Sequence, residues 1–197
     1  MTYNPDIHHR RSIRLKDYDY SQAGAYHVTI CTWNKEYMLG EIVDRKMCLN
    51  KHGEIIMNCW HNLPDYYPYV ELDEFVVMPN HIHGIVIIVG AQLIAPSVMN
   101  RPASNRDTIN QNKHQGVIKP GVINHAPTVG EIVRSFKARC TYAINQIRNT
   151  SDIPIWQRNY YEHIIRNETE LGKIREYIMN NPLNWESDEN YKIKLAN

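Results

Sequence analysis

Several features that would place a protein in a special class are missing from this sequence of 197 residues. Its four cysteines form no Cys-x-x-Cys pair, which argues against a disulfide framework and favours reduced thiols. No apolar run is long enough to span a bilayer, and the polar beginning of the chain is unlike a signal peptide. A net charge of only +1 means that the molecule as a whole is not a polycation. We therefore expect a soluble, cytoplasmic protein with no membrane partner, in which any contact with nucleic acid depends on local basic patches.

The length and composition indicate one globular domain over residues 1–197, with 43% hydrophobic and 22% charged residues. Residues 1–23 form a basic, tyrosine-rich arm that suits a strand of nucleic acid, although an ordinary terminal arm is equally consistent with the sequence. The basic residues in question are Arg10, Arg11, Arg14 and Lys16. Residues 91–127 combine four prolines with many Asn and Ser residues and show no periodicity, which predicts a long mobile insertion. Residues 183–197 form a short polar tail.

The most informative stretch is residues 76–89, where two apolar runs flank Pro79-Asn80 and a His-Ile-His triplet follows. Successive side chains of a strand point to opposite faces, so His81 and His83 project to the same side. Two imidazoles held on one strand can clamp a metal ion or face a phosphate. Two surface histidines on a half-exposed sheet are the plainer explanation, because His-x-His is a short pattern. Their position inside an otherwise apolar strand favours a functional role over two ordinary surface histidines.

Periodicity and turn residues predict the remaining elements. We predict strands over residues 25–33, 71–78, 81–89 and 154–165, a hairpin over 39–49, and helices over 50–63, 128–148 and 168–180. Pro64 is expected to close the first helix and Pro182 to stop the last. Without the hairpin the order is βαββαβ, which is the ferredoxin-like α+β arrangement. It predicts an antiparallel sheet with helices on one face and a second face free to hold a substrate.

The last predicted helix places Tyr177 and Asn181 one turn apart, so their side chains share a face. Taken singly, a tyrosine covering the core edge and an asparagine capping the helix are the plainer explanations. Tyr160 and Tyr161 also compete as reactive tyrosines. As strand residues they should point one inward and one outward, and the outward ring is a candidate surface for stacking an unpaired base.

Three pieces of sequence occur in a fixed order: Val-Val-Met-Pro-Asn-His-Ile-His-Gly at 76–84, Trp-Gln-Arg-Asn-Tyr-Tyr-Glu-His at 156–163, and Tyr-Ile-Met-Asn-Asn-Pro at 177–182. Together they resemble the single-tyrosine HUH transposases of bacterial insertion sequences, and most of all the REP-associated tyrosine transposases. The resemblance runs from about residue 10 to residue 185, interrupted by the insertion. It implies a bacterial, DNA-associated transposase that cleaves and rejoins single-stranded DNA, near hairpins or repeats, through a 5′-phosphotyrosine intermediate. Homodimers and monomers are both consistent with it.

Carried over residue by residue, the resemblance implies that Tyr177 at the C-terminal helix is the nucleophile and that His81, His83 and Asn181 bind a divalent metal. Two imidazoles and an amide oxygen suit Mg²⁺ or Mn²⁺. A tyrosine with an ordinary pKa of roughly 10 is a poor nucleophile at neutral pH, and a metal on the scissile phosphate would offset that weakness. The residues predicted to contact DNA are Arg10, Arg11, Arg14, Lys16, Arg134, Lys137 and Tyr161.

Two other functions are consistent with the sequence. One is a non-catalytic ferredoxin-like module that binds single-stranded nucleic acid. The other is a metal-dependent phosphodiesterase that uses water as the nucleophile, and we expect it less because the sequence shows no carboxylate cluster beside the histidine pair.

Overall fold

The computed structural model describes residues 22–89, 127–151 and 153–191. The predicted DNA-contacting residues of the N-terminal arm, the insertion apart from Pro127, and the last six residues of the tail lie outside these ranges. The helices and strands are β1 (Gly24–Cys31), β2 (Gly40–Val43), β3 (Lys46–Leu49), α1 (Lys51–His61), α2 (Leu63–Tyr66), β4 (Val70–Met78), β5 (His81–Ile88), α3 (Val129–Arg148), β6 (Tyr161–Ile165) and α4 (Glu168–Asn180). Two 3-10 helices cover Trp33–Lys35 and Pro182–Ser187.

The main sheet has the strand order β4-β5-β1-β6, and every neighbouring pair is antiparallel. The strands β1 and β5 occupy its centre, whereas β4, the longest of the four, lies at one edge although its apolar run is typical of a central strand. This is the predicted ferredoxin-like α+β arrangement, and the structure confirms it. The strands β2 and β3 form the predicted hairpin as a separate two-stranded sheet.

One face of the main sheet packs against α1 and α3 and forms the larger core. Because side chains alternate along a strand, Tyr26, Val28 and Ile30 of β1 all enter this core and are fully buried. Opposite them, Trp60 of α1 and Phe136 of α3 meet edge to face, with ring centroids 5.5 Å apart. The apolar stripes of the two helices therefore close over one side of the sheet.

The other face of the sheet carries α4. Leu171 and Ile178 of this helix pack against Ile85 of β5 and Ile165 of β6 in a second, smaller core. Asn167 begins the helix, because its side chain accepts a hydrogen bond from the Glu170 amide. The helices α1 and α3 thus share one face of the sheet, as predicted, and α4, which carries Tyr177, lies on the opposite face.

The predicted strand over residues 154–165 is too long, since only Tyr161–Ile165 pairs with β1. Residues 154–160 cross the end of β1, where Trp156 makes a single bridge to Thr32. Lys137 of α3 provides hydrogen bonds to the backbone of this segment. Its ammonium group donates to the carbonyl oxygens of Gln157 and Asn159 at 3.0 Å each.

Pro64 has a different role from the one predicted. α1 ends at His61, and Pro64 lies in the first turn of the short helix α2. A proline is tolerated there because the first N–H groups of a helix lack an internal partner. Among the described ranges, no helix is both long enough and apolar enough to cross a membrane.

Candidate metal centre and adjacent tyrosine

His81 and His83 lie next to each other on the face of β5 that carries α4. Both are buried, with 0% and 2% of their surface exposed, and their Nε2 atoms are 3.0 Å apart. Two ligands at right angles, each about 2.1 Å from one ion, are separated by about 3.0 Å. The spacing of the two imidazoles therefore fits neighbouring ligands of an octahedral cation.

The Nδ1 atoms of both histidines have polar partners. His81 Nδ1 is 2.8 Å from Asn80 Oδ1. His83 Nδ1 is 2.9 Å from Thr29 Oγ1 and 3.3 Å from His27 Nε2, both on the neighbouring strand β1. The two rings are thus held from behind, which leaves their Nε2 atoms to face the space between them.

Asp188 supplies a carboxylate to the same place. It follows the 3-10 helix Pro182–Ser187, and its Oδ2 atom is 3.9 Å from His81 Nε2. One donor atom from each of His81, His83 and Asp188 lies within 4.8 Å of the others. The sequence shows no carboxylate cluster beside the histidine pair, and the fold brings this single carboxylate there. No motif in the sequence indicated Asp188, because only the turn after α4 brings it back to β5.

Asn181, the predicted third ligand, lies beside this carboxylate. It is 3% exposed, and its Nδ2 atom donates to Asp188 Oδ2 at 3.4 Å. Its Oδ1 atom is buried and has no hydrogen-bond partner among the described residues. A buried amide oxygen without a donor costs free energy, and a cation between these side chains would satisfy it.

Both histidines are neutral at physiological pH. Burial lowers the pKa of His81 to about 4, although the nearby Asp188 opposes the shift. Burial also lowers the pKa of His83 well below its usual value, with further contributions from His81 and His27. Because a metal binds the neutral imidazole, neither ring has to lose a positive charge before it acts as a ligand.

Tyr177 lies at the edge of the same cluster. The hydroxyl of this half-exposed α4 residue is 3.4 Å from His83 Nε2, and its ring contacts that of His83 edge to face, with centroids 5.1 Å apart. Partial burial and the charge of Asp188 raise its pKa, while a hydrogen bond from Asn181 lowers it. The phenol is thus less acidic than usual in the absence of a cation.

An open groove of about 1130 Å³ begins at His83 and Tyr177 and runs over the uncovered part of the sheet. Tyr161 lies in its wall with half of its side chain exposed, as expected for the outward tyrosine. Tyr160 also borders the groove, but its ring packs against the larger core and its hydroxyl donates to Glu162 Oε2 at 2.7 Å. His163 also lines the groove, and its Nε2 atom is 2.7 Å from Glu170 Oε1.

Of the other residues predicted to contact DNA, the structure describes two on α3. Arg134 is exposed on that helix, which packs on the face of the sheet opposite to the histidines. The Lys137 ammonium group is engaged with the carbonyl oxygens of residues 157–159, and burial lowers its pKa to about 8. The structure therefore brings together His81, His83, Asn181 and Tyr177, with Tyr161 further along the groove, but neither α3 residue joins them.

Comparison with other proteins identifies a relative by sequence similarity, and comparison with solved structures identifies a shared fold. No protein-family profile matches the chain. A protein of Haemophilus influenzae described as uncharacterized is 46% identical over 190 residues, which cover 96% of this chain and 97% of that protein.

Among solved structures, a REP-associated tyrosine transposase bound to a REP hairpin superposes with a TM-score of 0.51 at 18% identity. The match covers 88% of this chain and 74% of that one, and it shows a shared fold. A candidate transposase of Deinococcus radiodurans R1 gives a TM-score of 0.44 at 13% identity over 86% of this chain and 97% of that one, which is too low to support an argument.

Proposed function

This chain belongs to the same family as the Haemophilus influenzae protein and has the fold of a REP-associated tyrosine transposase, and we propose that it is itself a metal-dependent transposase. Its substrate is single-stranded DNA, cleaved and rejoined beside a hairpin or repeat through a 5′-phosphotyrosine intermediate. The observation that carries the proposal is the position of the Tyr177 hydroxyl, 3.4 Å from a histidine whose partner imidazole and carboxylate complete a cluster of potential metal ligands.

His81, His83 and Asp188 would hold the divalent cation, and the Asn181 side chain lies beside the Asp188 carboxylate. Nitrogen and oxygen donors in this mixture suit Mg²⁺ or Mn²⁺. The cation would supply Lewis-acid polarisation of the scissile phosphate and offset the charge that develops in the transition state. The third ligand in this proposal is the carboxylate, with the amide of Asn181 as its neighbour.

Tyr177 carries out the chemical step as nucleophile. Its phenolic oxygen forms a bond to phosphorus while the bond from phosphorus to the 3′-oxygen of the preceding nucleotide breaks. The phenol loses its proton and the departing 3′-oxygen gains one, so the step ends with a 5′-phosphotyrosine and a free 3′-hydroxyl. The reverse attack by a 3′-hydroxyl on the same phosphorus rejoins a strand. Because its pKa is raised, the Tyr177 phenol is a weak nucleophile by itself, and a cation on the phosphate would favour this step.

The groove beside Tyr177 is the proposed path of the unpaired strand. Tyr161 offers an exposed ring for base stacking, which is the usual way that proteins hold single strands. A hairpin partner is suggested by the REP hairpin bound to the structural neighbour. The basic residues of the arm and Arg134 of α3 are proposed as contacts to the phosphate backbone outside the groove, whereas the Lys137 ammonium group is already engaged with carbonyl oxygens.

Asp188 also favours a second candidate function, which is hydrolysis of a phosphodiester by a metal-bound water. Carboxylate and imidazole ligands are common in sites that activate water. The two functions differ in one product, since only the tyrosine mechanism leaves protein attached to DNA.

A denaturing gel separates these possibilities. Labelled single-stranded DNA containing a hairpin is incubated with Mn²⁺ or with EDTA, and the hairpins tested include any inverted repeats found beside the gene. Wild type is compared with Tyr177→Phe, and Tyr142→Phe serves as matched control because Tyr142 is 70% exposed on α3, away from the groove.

We expect a metal-dependent protein–DNA adduct with wild type and Tyr142→Phe, and at least a 1000-fold loss with Tyr177→Phe, because the hydroxyl that forms the covalent bond is gone. Metal-dependent cleavage without an adduct, retained in Tyr177→Phe, would establish the hydrolytic function instead. Tight binding of every such DNA without any cleavage would establish the non-catalytic binding module.

A further inference from the structure

Asn80 has a fixed orientation in the turn between β4 and β5. It is completely buried, and its Nδ2 group donates to the carbonyl oxygens of Asn190 at 2.8 Å and Lys35 at 3.2 Å. Both amide protons are therefore used, and the Oδ1 atom is the one that faces His81 Nδ1. An amide oxygen only accepts hydrogen bonds. The single proton of the neutral His81 ring consequently lies on Nδ1, and its Nε2 atom carries a lone pair.

This lone pair has consequences for His83. The two Nε2 atoms are 3.0 Å apart, a distance at which two lone pairs repel each other but an N–H and a lone pair attract. Without a cation, the proton of the neutral His83 ring therefore lies on Nε2 and points at His81. Its Nδ1 atom is then the acceptor, and the Thr29 hydroxyl 2.9 Å away can donate to it.

A bound cation requires His83, but not His81, to carry its ring proton on the other nitrogen. Both Nε2 lone pairs must then face the ion, so the His83 proton has to move to Nδ1. A hydroxyl can donate or accept, and Thr29 can turn its O–H away and accept this proton at the same distance. His27, at 3.3 Å, is more distant from the same nitrogen.

We propose that Asn80 and Thr29 are positioning residues with different tasks: Asn80 locks His81 in one tautomer, whereas Thr29 allows His83 to change tautomer when the cation binds. The bond from Asn80 to the Asn190 carbonyl also ties the histidine strand to the segment that carries Asp188. The inference rests on the proposed metal site, but its first part concerns the metal-free protein alone.

Long-range ¹H–¹⁵N spectra of histidine-labelled protein at pH 7.5 show which ring nitrogen carries the proton. We expect Nδ1–H at His81 with and without Zn²⁺, used as a diamagnetic probe, and a change at His83 from Nε2–H to Nδ1–H when Zn²⁺ is added. Metal-free protein with Nδ1–H at His83, or with Nε2–H at His81, would overturn the proposal.

Two pairs of variants test the tasks separately through the Mn²⁺ dissociation constant, measured by electron paramagnetic resonance. Thr29→Val removes the hydroxyl and should weaken binding by 10-fold or more, whereas Thr29→Ser retains it and should bind within about threefold of wild type. Asn80→Ala should weaken binding 10- to 100-fold and allow Nε2–H at His81, whereas Asn80→Asp retains the acceptor and should keep Nδ1–H there.

Equal Mn²⁺ affinity of Thr29→Val and wild type would refute the role of Thr29. If wild type itself binds no divalent cation, the proposed function fails, but the metal-free tautomers of wild type, Thr29→Val and Asn80→Ala still decide whether these two residues position the rings.

Discussion

At the scale of single residues, burial determines the charge of the histidines on the α4 face of the sheet. The pKa values of His27 and His81 are lowered to about 4, in both cases mainly because burial disfavours the charged ring. In the unfolded chain the same rings titrate near 6.5. Between these values the unfolded chain binds more protons than the folded one, so acid favours unfolding.

We therefore predict that the metal-free protein loses stability as the pH falls from about 6.5 to about 4, and that the loss levels off below the folded pKa values. Each buried histidine contributes on the order of 1.4 kcal/mol per pH unit in this window. Urea unfolding in EDTA across this range measures the slope. His27→Gln should reduce it, because the ring whose burial lowers its pKa is gone. An equal slope in wild type and His27→Gln would contradict the prediction.

Sequence alone indicated most of the candidate site, and the reason is local periodicity. Alternation along β5 placed His81 and His83 together, and helical spacing on α4 placed Tyr177 beside Asn181. Local patterns do not bring the histidine pair on β5 next to the pair on α4, because that contact depends on tertiary packing. Only the family resemblance suggested it. Asp188 could not be found in this way, because its position depends on how the polar segment after α4 folds back, and no periodic pattern encodes that path.

At the scale of secondary-structure elements, α1 packs tightly against β4 and β5. Trp60 stacks on Phe75 with ring centroids 4.6 Å apart and an interplanar angle of 10°. Gly84 lies under this pair, and a Cβ atom added there would be 2.3 Å from the Trp60 ring. Gly84 thus lets the tryptophan approach the strand that carries the histidines.

Gly84→Ala is predicted to destabilise the protein by about 1–3 kcal/mol, because the Trp60 ring has to shift within a filled core. Gly172→Ala is the matched control. Its Cβ atom would meet nothing within 4 Å on α4, so the substitution should stabilise the protein by about 0.5–1 kcal/mol through helix propensity. Chemical denaturation of the two variants gives both values, and a neutral Gly84→Ala would show that the ring pair is loosely packed.

Elements with strong local signals were predicted well, and elements defined by long-range contacts were not. The capping box of Thr128 and Glu131 marks the beginning of α3, and Asn167 marks that of α4, which agrees with the helix ranges predicted from the sequence. The segment 154–160 has the composition of a strand, but the Lys137 side chain competes for its carbonyl groups. That competition depends on a residue of a different element and has no signature in the segment itself.

At the scale of the whole molecule, the candidate site connects the centre of the sheet to the end of the described chain. His81 and His83 belong to β5, Tyr177 to α4, and Asp188 to the segment that follows it. Asn80 and Asp73 provide two further connections, since Asn80 binds the Asn190 carbonyl and Asp73 pairs with Arg175 of α4. Any ligand shared by His81, His83 and Asp188 must therefore stabilise the docking of the final segment onto the sheet.

We predict that Mn²⁺ slows amide exchange most strongly in residues 182–191. A cation at 100 times its dissociation constant stabilises the docked state by about 2.7 kcal/mol, which corresponds to roughly 100-fold slower exchange through local opening. The hairpin of β2 and β3 contains no ligand and should change far less. Hydrogen–deuterium exchange followed by mass spectrometry, with and without Mn²⁺, gives both rates.

Asp188→Asn should remove most of this protection, because it replaces the charged ligand with a neutral amide. Glu186→Gln removes a charge from the same segment at an exposed position and should keep the protection. Protection that spreads evenly over the protein, or that persists in Asp188→Asn, would mean that the cation does not join the final segment to the sheet. In that case the carboxylate near His81 would serve the docking of the segment alone, and Asn181 would again be the leading candidate for the third ligand, because its buried oxygen has no partner within the described residues.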